Sequence, residues 1–171
     1  NLLNAMSPFL TGGEMIESVT REGAVFAELP HKFEAGTVNG GGAWGLKAAI
    51  DYLNSIGFEA IEEKENALTA LAMEELKKIP HVHVIGSQDP KEHNGILNFT
   101  VDGVHPHDIA SILDGAHVDV RAGHHCAQPL LAHLGVMVTT RASISFYNSE
   151  EDVLRLIEQV KNIRRLMGYD E

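Results

Sequence analysis

The sequence predicts an α/β (α+β) fold in which a small sheet is covered by helices. Three observations predict this class: apolar residues recur at helical spacing over most of the chain, β-like segments are few and short, and the two kinds of segment alternate. The length of 171 residues fits one domain or a domain with an arm. With 44% hydrophobic and 22% charged residues, the composition is typical of a globular chain and excludes a disordered tail.

The first 39 residues are predicted to form an arm, because they lack helical periodicity and are interrupted by prolines and glycines. Within this arm, residues 18–20 and 24–27 are two short β-like segments separated by a three-residue turn, which predicts a hairpin. The predicted organisation is therefore an arm with a hairpin over residues 1–39, followed by a small α/β domain over residues 40–171.

The remaining elements follow from periodicity and from residues that start or stop helices. Apolar residues at helical spacing predict five helices, over residues 46–56, 59–79, 107–113, 128–134 and 150–167. Gly57 and Gly168 are predicted to stop two of them, while Pro106 and the pair Ser149 and Asp152 fit helix starts. Alternating, β-branched or aromatic residues predict four strands, over residues 81–85, 95–101, 118–120 and 141–147.

Charge and composition exclude several functional classes. The 13 Lys and Arg residues face 24 Asp and Glu residues, a net charge of −11, which disfavours sequence-independent binding to nucleic-acid phosphates. No apolar run approaches the roughly 20 residues that a membrane span requires. A single cysteine excludes an internal disulfide. These features favour a cytoplasmic chain without nucleic-acid or membrane partners.

The densest chemical cluster is Arg121-Ala122-Gly123-His124-His125-Cys126, in the turn between a predicted strand and a predicted helix. Arg121, the two histidines and the start of the following helix all favour the thiolate of Cys126, which is the nucleophilic form. A single cysteine is otherwise most often a small buried apolar residue. From these residues alone, both interpretations stay open.

Two further segments offer binding groups. Arg141 begins the last predicted strand, where it either forms an exposed surface ion pair or binds a carboxylate through two parallel hydrogen bonds. Gly36 and Thr37 precede a glycine-rich helix start, which fits either an anion site or a plain flexible linker. The ten histidines suggest a metal, but the zinc spacings Cys-x-x-Cys and His-Glu-x-x-His do not occur, and no metal site is predicted.

Three segments together resemble one family: Phe33-Glu34-Ala35-Gly36-Thr37, Arg121 to Pro129, and Arg141 to Asn148. They resemble the Suf-type cysteine desulfurases and the selenocysteine lyase-like enzymes, which are pyridoxal-phosphate proteins of the class V aminotransferase group. The resemblance covers nearly the whole chain. It implies the C-terminal segment of a fold-type I transferase, whose cofactor-binding domain would precede the residues given.

The resemblance also implies a role for each matching residue. Cys126 would be the nucleophile that receives sulfur as a persulfide. Arg141 would hold the substrate carboxylate, and Arg121 would line the same site. The implied activity is removal of sulfur from L-cysteine, leaving alanine and a persulfide that passes to a sulfur-acceptor protein for iron–sulfur cluster assembly.

Pyridoxal phosphate is the cofactor that the resemblance implies for the complete enzyme, a homodimer. Gly36 and Thr37 would contact the phosphate of the cofactor in the partner subunit, although Val38 stands where the family usually has proline. Family members are more than twice this length, and no lysine here has the Ser-x-His-Lys setting of the family's cofactor-binding lysine. The segment alone is therefore expected to be inactive and to bind no cofactor tightly.

Three alternatives to a cysteine desulfurase stay open. Selenocysteine lyase belongs to the same family, and the sequence does not discriminate between the two substrates. A thiol hydrolase that uses Cys126 and a histidine would need no cofactor. A persulfide-carrying or metal-binding module would act through Cys126 and the neighbouring histidines alone.

Overall fold

The computed structural model describes residues 2–169, and the chain divides into two compact units, Asn1–Ser55 and Ile56–Glu171. The first unit contains α1 (Leu2–Ala5), β1 (Ile16–Val19), β2 (Ala24–Phe26) and nearly all of α2 (Gly40–Ile56). The second unit contains α3 (Phe58–Lys77), β3 (Val82–Ile85), β4 (Ile96–Val101), α4 (Pro106–Gly115), β5 (Arg121–Gly123), α5 (Gln128–His133), β6 (Thr139–Ser143) and α6 (Glu150–Leu166). Among the helices of residues 2–169, none has the length and hydropathy of a membrane-spanning segment.

The first unit contains the predicted hairpin, because β1 and β2 pair in antiparallel fashion. The turn between them is closed by Thr20, whose amide donates to the Gly23 carbonyl at 2.8 Å and whose hydroxyl accepts from the Gly23 amide at 3.2 Å. The change of sequence pattern at residue 40 marks the start of α2. The two compact units divide at the other end of that helix, after Ser55.

The second unit is built on a four-stranded antiparallel sheet in the order β3-β4-β6-β5. Leu97, Phe99 and Val101 alternate along β4 and are buried against α3, α4 and α6, which cover one face. Asn98 lies between them and belongs to the opposite face, together with its cross-strand partner Arg141. The predicted class, a small sheet covered by helices, is therefore confirmed.

Helix starts and stops agree with the prediction to within two residues, except that α2 begins at Gly40 and not at residue 46. Pro106 occupies the first turn of α4, as expected. Ser149 and Asp152 form a reciprocal capping box at α6, in which the Ser149 hydroxyl accepts from the Asp152 amide and the Asp152 carboxylate accepts from the Ser149 amide. That second bond lowers the pKa of Asp152. Gly57 and Gly168, which follow α2 and α6, both have positive φ.

The strand predicted over residues 118–120 is wrong, because the strand in this region is β5, over Arg121–Gly123. The Val118 amide donates to the Leu113 carbonyl at 3.0 Å, so this stretch is still held to the end of α4. Ladder pairing begins only at Arg121 and ends at Gly123, which pairs with Thr139 although it was predicted as a turn. Local residue preferences do not show which stretch has a partner strand beside it.

The last strand begins earlier than predicted. β6 starts at Thr139, which is fully buried, and ends at Ser143, whereas the prediction covered residues 141–147. The chain then turns, with the Asn148 amide donating to the Ser145 carbonyl at 2.9 Å. Arg141 therefore lies in the middle of a paired strand instead of at its start.

Gly95 enters β4 with a φ of +76°, and its carbonyl accepts a hydrogen bond from the Ile144 amide at 2.7 Å. A Cβ atom added at Gly95 would overlap the Ile144 carbonyl oxygen. We expect Gly95→Ala to lower the free energy of unfolding by roughly 3 kcal/mol or more, because the overlap and the left-handed backbone both oppose it. Urea unfolding measures this, with Gly115→Ala as the control, since a Cβ there meets nothing within 4 Å. Equal effects of the two substitutions would contradict the prediction.

Candidate active site

Cys126 lies in a tight turn between β5 and α5. The Ala127 amide donates to the His124 carbonyl at 2.9 Å, and the two central residues, His125 and Cys126, have φ values of 54° and 58°. This is the pattern of a type I′ turn, which glycine and asparagine usually occupy. Each non-glycine residue in the left-handed region costs roughly 1–2 kcal/mol. Such strain recurs at functional sites and here coincides with the cysteine.

The Cys126 side chain is exposed. The interpretation of this residue as a small buried apolar side chain is therefore wrong. Together with Arg121, His124 and Gln128, Cys126 lines an open depression on the second unit. His107 from α4 lines the same depression, although no motif in the sequence connects it with Cys126.

His125 holds the turn against the sheet. Its Nε2 lies 2.9 Å from the Thr139 hydroxyl and 3.2 Å from the Thr139 carbonyl oxygen. The Thr139 hydroxyl in turn donates to Asn98 Oδ1 on β4 at 3.2 Å. Thr139 and Asn98 were missed from the sequence, because 41 residues separate them and only the register of β4 and β6 brings them together.

Burial lowers the pKa of His125 below its ordinary value of 6.5, and the positive charges of Arg141, Arg121 and His124 lower it further. The hydrogen bond to the Thr139 backbone acts in the opposite direction without reversing the shift. The His125 imidazole is therefore mostly neutral at pH 7. Its contribution of positive charge beside Cys126 at that pH is reduced accordingly.

The lowered pKa makes stability depend on pH in a defined direction. The unfolded chain takes up a proton at His125 near pH 6.5, whereas the folded chain does so only at lower pH. We therefore expect this residue to reduce the free energy of unfolding as the pH falls below about 6.5 and to have no effect above it. Urea titrations of the native protein and His125→Gln between about pH 5.8 and 7.5 measure the difference in slope. His133→Gln, at an exposed position of α5, is the control; equal slopes for the native protein and His125→Gln would contradict the prediction.

Arg121 and Arg141 lie directly opposite each other on β5 and β6. Within residues 2–169, neither guanidinium forms an ion pair with an acidic side chain, and the buried Nε of Arg141 has no hydrogen-bond partner. The alternative that Arg141 forms a surface ion pair is therefore wrong. Like charges facing each other across a ladder are destabilising, which makes this pair suited to an anion.

The predicted phosphate contacts belong to the first unit. Gly36 has a φ of +78°, and its amide already donates to the Gly13 carbonyl at 2.8 Å. Thr37 is exposed and, among the residues described, makes no hydrogen bond. Asn39 caps the start of α2 by accepting from the Gly42 amide at 2.8 Å. Of the two predicted residues, only Thr37 has polar groups available for an anion.

The histidines do not form a metal centre in the part of the chain that the structure describes, where no group of three His, Cys, Asp or Glu side chains is arranged to hold one. His83 Nε2 and His81 Nδ1 instead share the Asp102 carboxylate, at 2.9 and 3.4 Å. The bond from His83 is the main reason that the pKa of Asp102 is lowered.

Comparison with known sequences identifies relatives over nearly the whole chain. The class V aminotransferase family model matches residues 1–156. A probable cysteine desulfurase of Xylella fastidiosa (strain 9a5c) is 46% identical over 166 residues, which cover 97% of this chain and 39% of that protein. A probable cysteine desulfurase of Staphylococcus aureus (strain COL) is 45% identical over 170 residues, covering 99% of this chain and 41% of the relative. The chain thus spans about two fifths of the length of these relatives.

Solved structures share the fold. The cysteine desulfurase CsdA from Escherichia coli, in its S-sulfonic acid form, matches with a TM-score of 0.87 and 39% identity over 96% of this chain and 40% of that one. The apo cysteine desulfurase from Thermococcus onnurineus NA1 matches with a TM-score of 0.86 and 42% identity over 92% of this chain and 39% of that one. The fold-type I expectation is thereby confirmed. Because sequence and fold agree over nearly all of its length, the chain belongs to the class V aminotransferase family.

Proposed function

We propose that this chain is the part of a cysteine desulfurase that presents the sulfur-accepting thiol and binds the substrate carboxylate. The observation that carries the proposal is an exposed cysteine on a strained turn that directly follows β5, the strand on which Arg121 faces Arg141. Identity of 46% to a probable cysteine desulfurase supports it. The alternative within the family is a selenocysteine lyase, whose substrate has the same carboxylate.

In the proposed reaction, Arg141 and Arg121 hold the carboxylate of L-cysteine, and the Cys126 thiolate attacks its sulfur. A sulfur–sulfur bond forms on Cys126 while the carbon–sulfur bond of the substrate breaks. The carbon skeleton takes up a proton and leaves as alanine. Bound pyridoxal phosphate supplies the electron sink that makes the carbon–sulfur bond breakable.

The charge that favours the thiolate comes from the neighbours that remain charged at neutral pH. Arg121 lines the depression that contains Cys126, and guanidinium stays protonated at every physiological pH. His125 is neutral there, and we assign it a positioning role in place of the expected charge contribution. His124 is exposed at the rim of the same depression and stays a candidate for tuning the thiolate.

The residues present fit one part of the cofactor. The amide and hydroxyl of Thr37, next to the start of α2, would hold the phosphate in the partner subunit of a homodimer. Gly36 would contribute its open backbone instead of its amide, which Gly13 occupies. We expect the groups that hold the pyridine ring to lie outside these residues, so the 171-residue segment alone should not retain the cofactor tightly.

The exposed position of Cys126 also fits a protein partner. A persulfide there is open to a sulfur-acceptor protein, which agrees with a cytoplasmic role in iron–sulfur cluster assembly. A thiol hydrolase would need a histidine nitrogen free to take the thiol proton. Among the described residues, no histidine nitrogen forms a hydrogen bond with the Cys126 thiol, which makes the hydrolase alternative weaker.

The test compares the complete protein with the segment. With L-cysteine, pyridoxal phosphate and a reductant, we expect the complete protein to release alanine and sulfide in equal amounts. We expect the 171-residue segment to release neither and to retain no cofactor after borohydride reduction and gel filtration. Stoichiometric cofactor fixed to the segment would contradict the placement of the lysine outside it. Hydrolysis of acyl thioesters without cofactor would instead favour the hydrolase, and release restricted to selenocysteine would favour the lyase.

A further inference from the structure

The turn that presents Cys126 needs an anchor. Two successive residues of this turn lie in the left-handed region, which costs roughly 1–2 kcal/mol for each non-glycine residue. Within residues 2–169, His125 is the residue of the turn whose side chain hydrogen-bonds to another element. A strained turn beside an open depression relaxes unless such a bond holds it.

The bond pattern determines the tautomer of His125. A backbone carbonyl only accepts hydrogen bonds, so the nitrogen facing the Thr139 carbonyl carries the proton. The Thr139 hydroxyl gives its own proton to Asn98 Oδ1 and therefore also accepts from Nε2. Nδ1 is left with its lone pair, is buried and has no partner among the described residues.

We propose that His125, protonated on Nε2, is a positioning residue that fastens the Cys126 turn to β6 through Thr139 and Asn98. The inference rests on the proposed function, because it concerns the thiol that would receive the sulfur. Arg141 lies two residues beyond Thr139 on the same strand and directly opposite Asn98. One pair of strands thus sets the positions of both the nucleophile turn and the guanidinium that would bind the substrate.

A positioning role predicts a specific kinetic pattern. Loosening the turn misplaces the thiol without disturbing either arginine, so sulfur transfer slows while binding of cysteine persists. In the complete enzyme, we expect His125→Ala and Thr139→Val each to lower kcat for alanine formation by about 10-fold to 100-fold. The KM for cysteine should stay within about threefold. Thr139→Ser, which keeps the hydroxyl, should restore most of the lost kcat.

The neighbouring residue supplies a matched control. Thr140 is also fully buried on β6, but its hydroxyl has no partner in the described chain, so Thr140→Val removes the same group without breaking the connection. The double variant His125→Ala/Thr139→Val should be no slower than His125→Ala, because the Thr139 hydroxyl acts on the turn only through His125, while Thr139→Val alone keeps the bond from Nε2 to the carbonyl. Multiplicative losses, or a loss in Thr140→Val as large as in Thr139→Val, would overturn the inference.

Amide hydrogen exchange gives a readout that does not depend on activity. In His125→Ala and Thr139→Val, we expect faster exchange in the peptide containing Ala127, whose amide closes the turn, and unchanged exchange in β4. Unchanged exchange at the turn would overturn the inference even if activity falls. If the native enzyme produces no alanine, the proposed function fails, and the exchange experiment still decides the anchoring. If His125→Ala does not fold, Thr139→Val alone decides both the kinetic test and the hydrogen-exchange test.

Discussion

Replacing Cys126 with serine in the complete protein is expected to lower sulfur release from L-cysteine by roughly a thousandfold or more, because loss of a covalent nucleophile removes the bond-forming step. Cysteine should still enter the site, since its carboxylate is bound by groups other than the thiol. Alanine formation and protein-bound persulfide measure the loss. The change in cofactor absorbance on addition of cysteine checks that binding is retained.

Chemical modification provides the matched comparison. Cys126 is exposed and is the only cysteine in these 171 residues. Its alkylation by iodoacetamide in the complete protein should therefore lower sulfur release as the serine substitution does. Peptide mapping then assigns the modified residue. A serine variant that still accumulates persulfide would place the nucleophile in another part of the complete protein.

Arg141→Lys is expected to raise the KM for cysteine roughly tenfold to more than a hundredfold in the complete enzyme, and to change kcat less. A guanidinium donates two parallel hydrogen bonds to a carboxylate, whereas an ammonium presents a point charge that does not reproduce this geometry. A charge-assisted hydrogen bond contributes about 1.5–3 kcal/mol, which corresponds to that range of binding. Steady-state kinetics with L-cysteine measures the effect.

Arg165→Lys is the control for replacing an arginine with lysine, because Arg165 lies on α6 and donates to Asn162 at the surface. Its replacement should leave KM unchanged. If Arg141→Lys is equally silent, Arg141 is not a substrate ligand, and its cross-strand neighbour Arg121 remains the candidate for the carboxylate. A fall in kcat with unchanged KM would instead show that Arg141 acts after binding.

Elements with strong local signals were predictable. Helices α2, α3 and α6 have long apolar periodicities, and the Ser149–Asp152 capping box is formed by residues three apart. Their starts and stops therefore follow from nearby residues, except the start of α2 at Gly40, which precedes the apolar periodicity. The two short strands were misplaced because β5 and the start of β6 are defined by their pairing with each other. Thr139 precedes the alternating run from which β6 was predicted, yet it is a fully buried ladder residue.

The chemical groups of the site divide in the same way. The order of residues was enough to select Cys126, its histidines and the two arginines as candidates, because nucleophile and guanidinium chemistry depends on residue type and the motifs are contiguous. Sequence order also led to the family and the fold class. Residue chemistry, family and fold class can be predicted from short segments, because they do not depend on which residues are close in space.

The tertiary structure determines which of these groups are charged, which are exposed and which are held in place by hydrogen bonds. The register of β4 against β6 brings Asn98 to Thr139, and the antiparallel pairing of β5 with β6 places one arginine opposite the other. Burial then keeps His125 neutral, which changes its expected role from adding charge to holding the turn. Hydrogen bonds and pKa values depend on atoms that are close in space, and for this site those atoms come from residues that lie far apart along the chain.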